Sequence, residues 1–311
     1  MKNIIRILLV IVAFTMLLAT VSACGGETTS SNPGSPPVSL TGAEPEESPS
    51  SPPPVSPPPV SPPPSSQGDE GAPSTLEPSD GYTTVEDGVL IMATNAEFPP
   101  YEFWEGGKIV GIDAEIAGAI ADKLGLTLRI DDMDFGAILA AVSAGRADIA
   151  MAGLTITEER MESVDFSTSY ATGIQVVIVR EGSPITSVDD LYAPGGFDVG
   201  VQESTTGDIY STWFLEDEGL ATVSRYRRGA DAVQALVTGR VDCVIIDNEP
   251  AKAFVEMNRG LHILDTEFEI EDYAIAFAKG NPLRDAVDGA LRELIADGTA
   301  QRIIDKYIGA D

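Results

Sequence analysis

The sequence predicts an α/β protein of two similar lobes, each built on a largely parallel sheet, and three observations predict it. Between residues 89 and 151, short apolar runs alternate with helical periodicity in a βαβαβ order, which makes parallel strand pairs. A second alternating set runs from residue 197 to residue 264. The two sets share one local pattern: Ala144-Gly145-Arg146-Ala147-Asp148 in the first and Thr238-Gly239-Arg240-Val241-Asp242 in the second, each a helix end, a glycine, an arginine and an acid ahead of a strand.

In chain order, residues 89–93 are a compact apolar strand, followed by the polar, proline-rich loop Thr94-Asn95-Ala96-Glu97-Phe98-Pro99-Pro100-Tyr101. Gly111-Ile112-Asp113 opens a helix to residue 124, with Ile116, Ile120 and Leu124 four apart and Gly125 at the stop position. Residues 126–130 form the next strand, 135–144 a second helix and 148–151 a third strand. Residues 173–179 read as a long strand, and the breakers Gly182-Ser183-Pro184 and Pro194-Gly195-Gly196 follow it. In the second set, strands are expected at 197–201, 242–246 and 261–264, and helices at 208–215, 230–238 and 249–257. Residues 273–277 are expected to be a strand that begins the crossing back to the first lobe, which the helices after Pro282 and Thr299 complete.

Length and composition bound the rest. Of 311 residues, 19 are Lys or Arg and 49 are Asp or Glu, a net charge of −30 that repels nucleic acid and favours solubility. Residues 1–23 read as a secretory signal, with Lys2 and Arg6 ahead of an apolar run and small residues after it. Residues 24–81 are rich in Ser, Pro and Gly, with Ser-Pro-Pro-Pro repeated, and read as a disordered, partly polyproline linker. Cys243 sits in an apolar run and reads as an inert strand residue; with Cys24 as its sole companion, no disulfide framework exists. His262 is the one histidine, so no metal centre or cofactor is expected.

The candidate site centres on Ala152-Gly153-Leu154-Thr155-Ile156-Thr157-Glu158-Glu159-Arg160, which leaves a sheet at the carboxyl end of a strand. Small residues let a ligand approach the backbone, Thr155 offers a hydroxyl, and Arg160 offers a planar fork that matches a carboxylate. A solvated Arg160 on an ordinary helix is the plainer alternative. Phe98 and Phe135 read either as pocket walls or as core aromatics, Asp247 as a site acid or a helix cap, and Thr205 and Thr206 as ligand contacts or a helix start.

These residues resemble the bacterial extracellular solute-binding proteins for polar amino acids. The similarity covers residues 85–308 and rests on the loop from Thr94 to Phe103 with Gly111-Ile112-Asp113, the stretch from Ala152 to Arg160, Val199-Gly200-Val201-Gln202-Glu203-Ser204-Thr205-Thr206-Gly207, and Tyr273-Ala274-Ile275-Ala276-Phe277. The resemblance implies a Venus-flytrap, or type II periplasmic binding protein, fold with two crossover strands. It divides the chain into residues 82–175 with 274–311 as lobe 1 and 176–273 as lobe 2.

It further implies a monomeric receptor that closes on a free amino acid and delivers it to an ABC permease at the outer face of the cell membrane. Val21-Ser22-Ala23-Cys24 resembles a lipobox, which implies a lipid anchor on Cys24. By the same resemblance Arg160 takes the α-carboxylate and Asp247 the α-ammonium. Asn95, Phe98, Phe135, Ala152, Gly153, Thr155, Gln202, Thr205 and Thr206 complete the site. Asn95, neutral where relatives often carry Asp, favours a neutral polar ligand such as glutamine over arginine or lysine, unless Glu203 points inward. An enzyme of the cyclohexadienyl or arogenate dehydratase type is the alternative on this fold.

Overall fold

The computed structural model describes residues 81–309. The readings of a signal, of lipidation at Cys24 and of a linker lie outside the described residues, save for Gly81 at the linker's end.

The first lobe is laid down by β1 (Val89–Thr94), a small sheet of β2 (Glu97–Phe98), β3 (Glu102–Glu105) and β4 (Lys108–Val110), then α1 (Ile112–Leu124), β5 (Thr127–Asp132), α2 (Phe135–Ser143), β6 (Ile149–Ala150), α3 (Glu158–Ser163) and β7 (Val164–Phe166). β8 (Ala171–Arg180) leads into the second lobe, followed by a 3₁₀ turn (Val188–Tyr192) and β9 (Phe197–Gln202). Next come α4 (Thr206–Ser211) with a π-helical turn (Thr212–Glu216), β10 (Ala221–Tyr226), α5 (Gly229–Val237), β11 (Cys243–Asp247), α6 (Asn248–Met257) and β12 (Leu261–Ile263). β13 (Glu269–Tyr273) returns, and β14 (Ala276–Ala278), α7 (Leu283–Ala296) and α8 (Thr299–Ile308) finish the first lobe.

The first-lobe sheet has the order β5-β1-β6-β14-β7, parallel across β5, β1 and β6 and antiparallel at β14. Its alternate residues face opposite ways. Leu90 and Met92 pack under α1, α7 and α8, while Ile91 and Ala93 pack under α2. Helix α1 forms because its apolar residues recur every four positions, and Ile116 and Ile120 are fully buried by that spacing. Each contributes roughly 1.5–3 kcal/mol. The second sheet runs β10-β9-β11-β8-β12, with β10, β9 and β11 parallel and β8 antiparallel to β11. Val199, Cys243 and Ile245 form one core layer, and Val244 and Ile246 pack with α5 and α6 on the other face. Cys243 is a fully buried strand residue.

The shared pattern of the two lobes has one physical meaning. Gly145 and Gly239 both take a left-handed φ, 66° and 73°, and end a helix. The arginine that follows donates its backbone N–H back into that helix, from Arg146 to Ala141 and from Arg240 to Ala235. The acid then ties down a neighbouring strand: Asp148 accepts from the Ile91 and Val85 N–H groups at 2.8 and 2.7 Å, and Asp242 accepts from the Asp198 N–H at 2.9 Å.

The lobes are joined by a ribbon. The start of β8 pairs antiparallel with β13, Ala171 opposite Tyr273 and Gln175 opposite Glu269. The returning strand therefore ends at Tyr273, where residues 273–277 were expected to be one strand. Ala274 and Ile275 are a break between β13 and β14, because their backbone groups bond to first-lobe residues outside the strands: Ala274 donates to the Leu154 carbonyl, and Ile275 exchanges hydrogen bonds with Ser167. The edge strand β10 and the β2–β4 sheet also escape the sequence reading, since only Val223 of β10 is buried.

Asp148→Ala removes the acceptor of two backbone N–H groups beneath a carboxylate that is 2% exposed. The expected loss of stability is about 2–3 kcal/mol, read by urea denaturation. A loss below about 0.5 kcal/mol would show that these bonds do not carry the strand.

Candidate functional site

Ten residues line a small, nearly closed cleft between the lobes: Asn95, Phe98, Phe135, Ala152, Gly153 and Arg160 from the first, and Gln202, Thr205, Thr206 and Asp247 from the second. All ten belong to the sequence-derived set. They meet because β1, β6, β9 and β11 end here, so each parallel sheet aims its carboxyl-end loops at the other.

The ligand loop is anchored from below. The Gly153 N–H donates to Asp113 at 3.0 Å, and the Tyr170 hydroxyl donates to the other Asp113 oxygen at 2.7 Å. Burial pushes the Asp113 carboxyl up to about 6, and these two hydrogen bonds hold it back from rising further. Glu102 lies fully buried alongside, pushed well above the usual carboxylate range by burial and then by Asp113. Gly153 itself has φ 54°, and a Cβ there would stand 2.8 Å from the Phe98 ring. The Phe98 ring continues into an aromatic chain, 5.8 Å to Tyr101 and from there 5.2 Å edge-on to Tyr273.

Arg160 is 6% exposed on α3, whose start is capped by the Thr157 hydroxyl accepting from the Arg160 N–H at 3.1 Å. Its terminal nitrogens donate to the carbonyls of Thr155, at 2.9 Å, and of Ser204 in the second lobe, at 3.3 Å. Its guanidinium lies 5.6 Å from the Phe135 ring centre. Burial lowers the Arg160 pKa, while Glu271 and then Asp247 oppose that and favour the cation. A guanidinium remains charged in this setting.

Asp247 occupies the position before α6 but caps nothing with its side chain; it accepts from the Tyr273 hydroxyl instead. Burial first, and then the neighbouring Glu271, raise the Asp247 carboxyl above its ordinary value. Thr205 caps α4, accepting from the Asp208 N–H at 3.3 Å, and also lines the cleft. At the far end the Gln202 amide donates to Asn95 at 3.1 Å and to the Arg227 carbonyl at 3.2 Å, and the Asn95 amide donates to the Met133 carbonyl at 3.0 Å. The lobes thus touch across the cleft, and Arg227 with Asp134 and Arg228 with Glu97 add ion pairs at its mouth.

Two residues of the sequence reading are not part of this lining. Thr155 is buried, and its hydroxyl donates to Glu271 at 3.0 Å. Glu203 is exposed and outside the cavity lining. The acid that does approach the site is Glu271 on the returning strand, 4% exposed and absent from the sequence-derived set. Gln175, fully buried on β8, donates to Glu271 at 3.1 Å and to Thr206 at 3.4 Å. Neither announces itself in sequence, since strand pairing alone brings them beside the cleft residues Thr206 and Asp247.

Two α/β lobes on a paired ribbon, closed over a polar cleft with aromatic walls, define a periplasmic binding protein of type II. The profile of bacterial extracellular solute-binding proteins, family 3, matches residues 90–310, and the chain belongs to that family. It is 34% identical over 221 residues to the arginine-binding extracellular protein ArtP of Bacillus subtilis, covering 70% of this chain and 85% of the relative. An ancestral arginine-binding protein solved with glutamine matches with a TM-score of 0.67 and 39% identity, covering 72% of this chain and all of its own. An ancestral arginine-binding protein solved with arginine matches at 39% identity with a TM-score of 0.67, over 71% of this chain and 99% of its own.

Gly153→Ala should cost about 1–3 kcal/mol of stability, from the left-handed φ and the approach of Phe98. Urea unfolding measures it, and a variant as stable as the parent would refute the close packing of that loop.

Proposed function

We propose that the protein is the substrate-binding receptor of an ABC importer, closing on one free polar amino acid and delivering it to the permease. The observation that carries this is the pair of buried opposite charges, Arg160 from one lobe and Asp247 from the other, on a single small cleft. A zwitterion leaving water needs a cation and an anion at its two ends, or desolvation forbids binding. Arg160 takes the α-carboxylate, aided by Thr205 and Thr206 at the start of α4; Asp247 takes the α-ammonium with the Gly153 loop. Phe98 and Phe135 wall the side chain, and Asn95 and Gln202 close the far end. Arginine- and glutamine-bound relatives support this reading. A ligand touching both lobes stabilises the closed state through its differential contacts.

The same reading makes the protein a monomeric lipoprotein, exported by residues 1–23, anchored through Cys24 and held off the membrane by residues 24–81. Its lobe boundaries are residues 82–175 with 274–311 and residues 176–273; the pairing of β8 with β13 supports a division within that ribbon. The family is one of solute-binding proteins, and no catalysis is assigned.

Arg160→Ala should weaken amino-acid binding by about 3–5 kcal/mol, on the order of a few hundredfold or more, by stranding a carboxylate in the closed cleft. Asp247→Asn should act in the same direction through the ammonium. Titration calorimetry across the polar amino acids tests both, and undiminished affinity in either variant removes that residue from the site.

A further inference from the structure

The charge balance of the closed cleft contains one member that the receptor reading does not use. Glu271 lies on the returning strand, 4% exposed, with one carboxylate oxygen accepting from Thr155 at 3.0 Å and from Gln175 at 3.1 Å. Tyr210 also hydrogen-bonds to this carboxylate. A buried carboxylate is costly to keep ionised, even when hydrogen-bonded, unless something positive comes near it.

We propose that Glu271 is a further specificity determinant of this site: as the second buried carboxylate beside one buried guanidinium, it tunes the cleft to amino acids of net positive charge. This rests on the amino-acid-receptor reading above. Arg160, Asp247 and Glu271 are 6%, 6% and 4% exposed, so two acids meet one cation away from bulk water. The other ionisable groups around it supply no cation: Asp113 and Glu102 at the Gly153 loop are acids whose ionisation burial opposes. Tyr101, Tyr210 and Tyr273 are held neutral by burial, which raises each phenol above its ordinary value, and Glu269 on the same strand is acidic. The raised Asp247 carboxyl is the mark of the conflict, with Glu271 as the charge that opposes its ionisation.

A zwitterion of zero net charge leaves this set at minus one, whereas a cationic side chain brings it to zero without a proton. A second carboxylate on the ligand makes it worse, so acidic amino acids are disfavoured most. The argument from a neutral Asn95 does not reach this charge, because Glu271 lies just outside the cleft lining, beside Asp247, and acts through the field rather than by contact with the side-chain terminus. At an effective dielectric constant of about 20, a unit charge about 10 Å from another shifts its binding by about tenfold.

The test compares L-arginine with L-citrulline, its neutral analogue of nearly the same shape, by calorimetry on the wild-type protein and on Glu271→Gln. The wild type should bind arginine about tenfold or more tightly than citrulline, and Glu271→Gln should reduce that ratio by about tenfold. Equal binding of the two by the wild type overturns the proposal, and this arm decides alone if the variant does not fold. A folded variant that keeps the wild-type ratio, or binds neither amino acid, also overturns it. A wild-type protein that binds no amino acid at all refutes instead the receptor reading.

Discussion

A guanidinium buried where two lobes meet is the constraint on which this structure turns. Arg160 cannot shed its charge, so every group around it must serve as an acceptor or a counter-charge. The carbonyls of Thr155 and Ser204 supply the first, one from each lobe, and Asp247 and Glu271 supply the second. Ser204 adopts a φ of 67°, unusual for a residue with a side chain, and its carbonyl is the one the second lobe gives to Arg160. The cation proposed to hold the ligand is therefore also part of what draws the lobes together.

The ribbon of β8 and β13 is more than a tether. Gln175 on one strand and Glu271 on the other are hydrogen-bonded to each other, and through them to Thr155 of the first lobe and Thr206 of the second. Groups from both lobes thus share one buried polar network at the base of the cleft. In a low-dielectric setting such a network is strong when satisfied and costly when it is not. Motion of either lobe about the ribbon has to keep or exchange these bonds, which ties the geometry of the site to the geometry of closure.

The rest of each lobe is arranged to hold that network still. Asp148 and Asp242 pin the first strand of their respective lobes by accepting backbone N–H groups, a device repeated because the two lobes repeat one βα pattern. Asp113 fixes the Gly153 loop from beneath, and the Phe98, Tyr101 and Tyr273 rings link that loop to the returning strand. A ligand group placed on such supports keeps its position without relying on the ligand.

The sequence alone determined the α/β class and most strands and helices, because these follow from local periodicity, whereas ten residues that line the cleft were reached through the resemblance to the solute-binding family. Ala152, Gly153, Arg160, Thr205 and Thr206 lie in short stretches whose composition says what they can do. Pairing decided the rest. Glu271 and Gln175 became site neighbours only when β13 was laid against β8, and no local pattern distinguishes Glu271 from the acids Glu269 and Asp272 on either side of it. Thr155 donates its hydroxyl to a residue 116 positions away. Glu203 faces solvent although its neighbour Gln202 lines the cleft. Side chains adjacent in the chain point to opposite faces of a strand, and only the packed sheet fixes which face is the site.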